Sequence, residues 1–221
     1  MPSFFRRRRA DQPSPAPDAA PAPRPPDLPR VAAGIVPAGI LPADAGPALG
    51  PHLQACAMLL FDGEPRPVHD LGERGGWAVH APEALAGTLR LPLPEWHVVG
   101  FRGGGDMHVL TTQDQLAPSR VLVVDQLFAA VGRRSDEGAG MLVAVPHASA
   151  VAVHVVSGGT VLSAARGMLD WATSPRPSTL LPVTPHLHHR APDGALRPVT
   201  VRAADGTVRL DTALLAELVG G

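Results

Sequence analysis

The sequence has no lysine and no tyrosine, one cysteine, and aromatic residues at only 4%. All nineteen basic residues are therefore arginine. The joint loss of Lys and Tyr matches a GC-rich genome that avoids AT-rich codons, so the arginine bias alone is no sign of phosphate binding. With Cys56 as the only cysteine, an internal disulfide is excluded and the fold must hold without covalent staples. A formal net charge of −1 removes the whole-protein positive field that draws nucleic acid or an anionic membrane, which leaves only a local patch for such partners. No apolar run reaches the roughly 18–20 residues that a membrane-crossing helix needs. These absences set the expectation of a soluble, cytoplasmic protein with no specific nucleic-acid partner, no cofactor and no transmembrane segment.

What is present suffices for a core. The chain has 221 residues, 45% of them hydrophobic and 18% charged, which accommodates one domain or two small ones. Residues 1–30 hold nine prolines and almost no apolar side chains after Phe5. Such a segment cannot bury enough surface to offset its ordering entropy, and it reads as a disordered Pro/Arg-rich tail with polyproline II character. Its opening Phe-Phe-Arg-Arg-Arg-Arg offers a weak foothold for a protein partner or an anionic surface, about 1 kcal/mol per Arg at a membrane. A basic run, the apolar "VAAGIVPAGILPADA" and the small-x-small Ala43-Asp44-Ala45 also follow the order of an export signal, which keeps export as an alternative. Pro37 interrupts that apolar stretch, so 31–43 reads instead as the first edge segment of a single domain spanning 31–221.

From residue 53 the pattern is organised. "LQACAMLLFDG" suits a buried strand closed by an Asp62-Gly63 turn, and "APEALAGTLRL" (81–91) suits a helix with Pro82 in its first turn. "EWHVVGF" and "DMHVLTT", joined through three glycines, read as a hairpin. "SRVLVVDQLFAAVG" (119–132) leaves strand and helix open, with Ser119 a cap in the second case. "GMLVAV", a turn at "PHAS", and "AVAVHVV" form a second apolar hairpin. "TVLSAARGMLDWA" is a helix with Thr160 as its cap and Val161, Ala165, Met168 and Ala172 on one face; Arg166 stands four residues before Asp170. Three short strands with turns at Asp193-Gly194 and Asp205-Gly206 follow, then a helix from Asp211. Strands and helices mix without βαβ alternation, which predicts an α+β fold with a mixed, mainly antiparallel sheet.

"LLFDGEPRPV", "LAPSRVLVVDQLF", "MLVAVPHASAVAVHVV" and "PVTPHLHHRAPDGAL", in that order, resemble the uncharacterised bacterial family typified by the YtpQ protein, a domain of unknown function. The resemblance runs over roughly residues 50–200. It implies an α+β fold and no reaction, since the family has no established activity. "PHAS" replaces the polar turn usual there, and the late strand carries histidines where an aromatic residue is usual.

Two groups of residues carry candidate chemistry. In "PHLHHR", strand alternation places His186 and His188 on one face and His189 with Leu187 on the other. Two imidazoles at i and i+2 reach one metal ion, but a zinc site wants three or four ligands. Across the sheet His147 or His154 would have to supply the third, and without it these are edge-strand histidines. The second group is the strand–turn–helix junction "HVVSGGTVLSAARG". Free amides of Ser157, Gly158, Gly159 and Thr160 at a helix N-terminus, with Arg166 nearby, suit a phosphate or carboxylate, although the Lys and spacing of a phosphate loop are missing. Cys56, with His52 four residues before it, lies in an apolar run and reads as an inert small hydrophobe. Asp62, Asp70 and Asp106 fall beside turns, where Asp is expected for backbone reasons. The sequence therefore points to a non-catalytic binding or interaction domain; the alternative is an anion binder or enzyme built on the 157–159 turn with nearby Arg and His residues.

Overall fold

A computed structural model describes residues 30–61, 64–133 and 139–220; the tail at 1–29 and the Asp62-Gly63 turn lie outside the described residues. Strand β1 (Val31–Pro37) pairs antiparallel with β2 (Leu53–Phe61), and β2 pairs with β3 (Glu64–Pro67). The 31–43 segment thus begins as an edge strand, as its pattern predicts. Its free side is covered by helix α1 (Gly76–Arg90), where the Thr88 hydroxyl accepts a hydrogen bond from the Ala33 N–H at 2.9 Å. Helix and strand approach closely because Gly87 has no side chain; a Cβ there would run into the Val31 carbonyl. Helix α1 starts five residues before the predicted 81, so Pro82 sits in its interior and not in its first turn. The start is set by Gly75 and Gly76, both at positive φ, which let the preceding turn swing into the helix.

A six-stranded antiparallel sheet forms the centre, in the order β4 (Glu95–Gly100), β5 (Asp106–Thr111), β7 (Ala150–Val155), β6 (Met141–His147), β8 (Leu187–Arg190), β9 (Leu196–Pro198). Both predicted hairpins are there, β4–β5 and β6–β7. The ambiguous 119–132 stretch is helical as far as Ala130: a 3-10 segment Ala117–Val123 runs into α2 (Val124–Ala130), and a turn at Val131-Gly132 follows, with Gly132 at φ 68°. Ser119 is buried inside the 3-10 segment and caps nothing. After β9 the chain leaves the central sheet at Val199 and makes a separate hairpin of β10 (Thr200–Arg202) and β11 (Val208–Leu210), four late strands where three are predicted. Helix α4 (Thr212–Gly220) follows, its start capped by Asp211 Oδ1, which accepts from the N–H groups of Ala213 and Leu214.

The two faces of the central sheet bury different partners. Met141, Val143, Val145, Val151 and Val153 pack against Ile35 and Leu53 of β1 and β2 and against Val124, Leu127 and Phe128 of α2. On the other face Leu142, Ala144, Ala152 and Leu187 pack against α3 (Val161–Thr173), through the predicted stripe of Val161, Ala165, Met168 and Ala172. The fold is α+β with mainly antiparallel sheets. No described helix is long and apolar enough to cross a membrane.

Candidate functional site

A cleft of about 560 Å³ opens where three irregular pieces meet: the end of α3 with Ser174 and Arg176, the segment Pro182–Pro185 leading into β8, and the β10–β11 hairpin with Arg202 and Thr207. Its volume falls in the range of small-ligand sites. The Pro182–Pro185 segment is held against the end of β6, since Val183 N–H donates to the Pro146 carbonyl and Thr184 N–H to that of Val145, both at 3.0 Å. Proline at 182 and 185 then ends regular pairing and leaves an apolar wall. Two guanidinium groups and several hydroxyls line the cleft, and no carboxylate does among the described residues.

Arg176 follows the last turn of α3 and stacks over the Trp171 ring at 5.1 Å. Nη1 donates to the carbonyls of Ala172 and Ser174, and Nη2 to that of Trp171, which satisfies orphan groups of the helix C-terminus. Of five N–H donors, three are so used; Nε–H and one Nη2 hydrogen have no acceptor among the described residues. Arg202 spends one bond on the Gly206 carbonyl at 2.9 Å. Neither arginine forms an ion pair among the described residues, whereas Arg120, Arg190 and Arg209 do, with Asp114, Asp125 and Asp205.

Directly behind Pro185 lies a cluster of imidazoles. His186 and His188 share one face of β8 and its lead-in, that of Val143, while His189 turns to the α3 face, where its Nε2 lies 2.5 Å from the Ala139 carbonyl. This is the division that strand alternation predicts. The third histidine is His52, at the entrance to β2: its ring stacks on His186 at 3.8 Å and 11°, and meets His188 edge-on at 5.9 Å and 73°. The Thr200 hydroxyl accepts from Leu187 N–H and lies 3.0 Å from His186 Nδ1, so its own proton is free for a neutral ring. His188 is fully buried, and neither ring nitrogen has a hydrogen-bond partner among the described residues. Burial, assisted by His52 and then Arg202, pushes His186 down to about 4. His188 is pushed to about 3 by burial and by the other two rings. His52 is also lowered, by burial and then by Arg202.

The remaining candidates are scattered. His154 faces α3 from β7, opposite the His186–His188 pair, with Nδ1 2.6 Å from the Asp106 carbonyl. His147 ends β6, where its Nδ1 accepts from Ser149 N–H. Neither joins the pair, and no group of three His, Cys, Asp or Glu side chains among the described residues has the geometry to hold a metal ion. Ser157, Gly158 and Gly159 are exposed in a short 3-10 turn, and a Cβ on either glycine would meet open space. Thr160 takes the N-cap position without capping; its hydroxyl donates to the Ser157 carbonyl instead. Arg166 stands exposed on α3, and no ion pair joins it to Asp170. None of these five residues lines the cleft. Cys56 is fully buried and its thiol is pushed up to about 12, which makes it a poor nucleophile.

Sequence reasoning missed Arg176, Arg202 and His52 as site residues. "SPRPS" reads as loop, and only Arg202 left a trace: on a strand it shares a face with Thr200, and so faces the same way as the Thr200–His186 contact. Comparison with known proteins gives no further guide, as no protein-family model, curated protein or solved structure matches this chain.

Proposed function

We propose that the protein is a non-catalytic binding domain for a small organic anion, held in the cleft between the end of α3, the lead-in to β8 and the β10–β11 hairpin. The observation that carries this reading is the pair Arg176 and Arg202, which line one cleft where no carboxylate stands among the described residues. Guanidinium groups keep their charge at any ordinary pH, so they supply binding and orientation and not proton transfer. The cleft walls, Pro146, Ala172, Pro182, Val183 and Val208, are apolar. They suit the body of a ligand whose carboxylate or phosphate meets the arginines, where a charge-assisted bond is roughly twice as strong as a neutral one. The 157–159 turn, the rival anion site, has Arg166 on its helix but no enclosing wall.

For its setting we propose the cytoplasm, on the strength of a single buried thiol and no disulfide. A protein partner for the N-terminal tail belongs to the same proposal, as does kinship with the YtpQ-type family, which supplies a fold and no reaction. The test is titration of the isotope-labelled chain with sulfate, inorganic phosphate and butyrate. Saturable amide shifts should fall on 173–176, 183–185 and 202–208, and Arg202→Gln should weaken the best ligand about tenfold, the loss of one charge-assisted bond. Shifts confined to 157–161, or an unchanged affinity in Arg202→Gln, would show the reading wrong.

A further inference from the structure

The histidine cluster and the cleft share Arg202, and that sharing has a thermodynamic consequence. We infer that anion binding is proton-linked: the stacked His52–His186 pair takes up a proton from solvent when an anion settles on Arg202. The inference rests on the cleft reading above and adds its regulation.

The geometry is specific. His186 follows Pro185 of the cleft wall, and its Nδ1 meets Thr200 at 3.0 Å; Arg202 lies two residues further on the same face of β10. His52 covers the other side of the His186 ring at 3.8 Å, nearly parallel. Two cationic rings at that separation repel, so the pair holds at most one proton. Burial opposes that proton first, and Arg202 adds to it as a cation whose charge bears on both rings.

Among the described residues no other charge close to the pair offsets it. On β8 the next residue on that face, Arg190, is paired with Asp125 at 2.7 Å. On the β10–β11 hairpin Asp205 and Arg209 pair with each other. On β9, Arg197 stands opposite His189 and so on the other face. His188, which meets His52 edge-on, is neutral. An anion on Arg202 cancels its opposing charge, and the pair then accepts a proton more readily. By reciprocity, protonating the pair tightens the anion by the same factor. Affinity therefore rises as pH falls, by at most about tenfold per pH unit for one proton.

Sulfate is the probe, because its own charge is fixed between pH 5 and 7.5 and any pH dependence belongs to the protein. Calorimetry of the full chain at pH 5.5, in buffers of contrasting ionisation enthalpy, should show uptake of a fraction of a proton up to one. Affinity should rise several-fold from pH 7.5 to 5.5, and the double variant His52→Gln/His186→Gln should flatten that rise. Saturating sulfate should also raise the NMR titration midpoints of the His52 and His186 rings in the unaltered protein, a readout that needs no variant to fold. If sulfate binds with no proton uptake and unmoved midpoints, the proton link is wrong and the cleft reading stands. Uptake that persists in the double variant His52→Gln/His186→Gln also overturns the link, since the proton then sits elsewhere. If sulfate fails to bind at every pH, both fall.

Discussion

Arg120 lies 1% exposed where the 3-10 segment 117–123 meets the end of α1, and His188 lies 0% exposed where β8 faces the entrance of β2. Arg120 keeps its charge and is given partners for it: Asp114 at 2.9 Å, and the carbonyls of Thr88 at 2.7 Å and Pro92 at 3.0 Å. His188 gives up its charge and, among the described residues, receives no hydrogen-bond partner, only two neighbouring rings and apolar strands. A group that can shed its charge tolerates burial among other imidazoles, whereas a guanidinium cannot and has to be built around. The Arg120 region is accordingly a structural lock, tying α1 to the segment that leads into α2. The His188 region is a reservoir of uncompensated polarity next to a cleft.

The harshest way to break this contrast is at the lock. Arg120→Ala strands the part-buried Asp114 carboxylate and takes the guanidinium donors from the Thr88 and Pro92 carbonyls, of which Thr88 keeps only the Leu91 N–H. Removing one member of a buried ion pair costs about 3–5 kcal/mol, because the other charge stays behind unpaired. Urea unfolding should show that loss as a lower midpoint at unchanged slope. A loss below about 1 kcal/mol would mean that Arg120 is held by packing of its stem and not by its partners.

The opposite sign is expected at His188. Replacing it with Leu, of similar bulk, removes two unsatisfied buried nitrogens and should stabilise the protein by about 1–2 kcal/mol. The same substitution should flatten the acid limb of the stability curve. In the unfolded chain these rings protonate near 6.5, but in the fold His186 does so at about 4 and His188 at about 3. Between those values the unfolded state binds more protons, so their contribution is complete above about 6.5 and is lost as pH falls toward 4 and then 3. The loss is at most about 1.4 kcal/mol per pH unit for each ring. Unfolding free energies measured from pH 7 to 4 check this: a slope unchanged in His188→Leu would show that the acid sensitivity lies elsewhere.

What the residues disclosed and what they concealed follows from the range of the contacts involved. The β6–β7 hairpin, the apolar stripe of α3 and the split of His186 and His188 from His189 depend on periods of 2 and 3.6 residues, which one chain segment displays by itself. His52 shows no such signal, because it meets His186 only after β1, β2 and the central sheet share a core. Arg120 lies in the stretch where strand and helix patterns overlap, and no local rule marks an arginine for burial. The cleft is hardest of all to foresee. It is assembled from a helix end, a proline-bounded segment and a hairpin turn, and their meeting is a property of the packing and not of any one of them.

The smallest effect, and the sharpest control, is at Arg166. This side chain remains in water on α3 and has neither the partners of Arg120 nor the burial of His188. Its truncation to Ala exposes no stranded charge and opens no cavity, so stability should stay within about 0.5 kcal/mol. It is also the cation nearest in sequence to the Ser157-Gly158-Gly159 turn, whereas the cleft uses Arg176 and Arg202. Sulfate affinity should therefore be unchanged in Arg166→Ala and weakened in Arg202→Gln, measured side by side at one ionic strength, since screening alone shifts the affinity of any exposed arginine. The reverse pattern would move the anion to the helix N-terminus and reduce Arg202 to a surface charge whose only duty is to cap the Gly206 carbonyl.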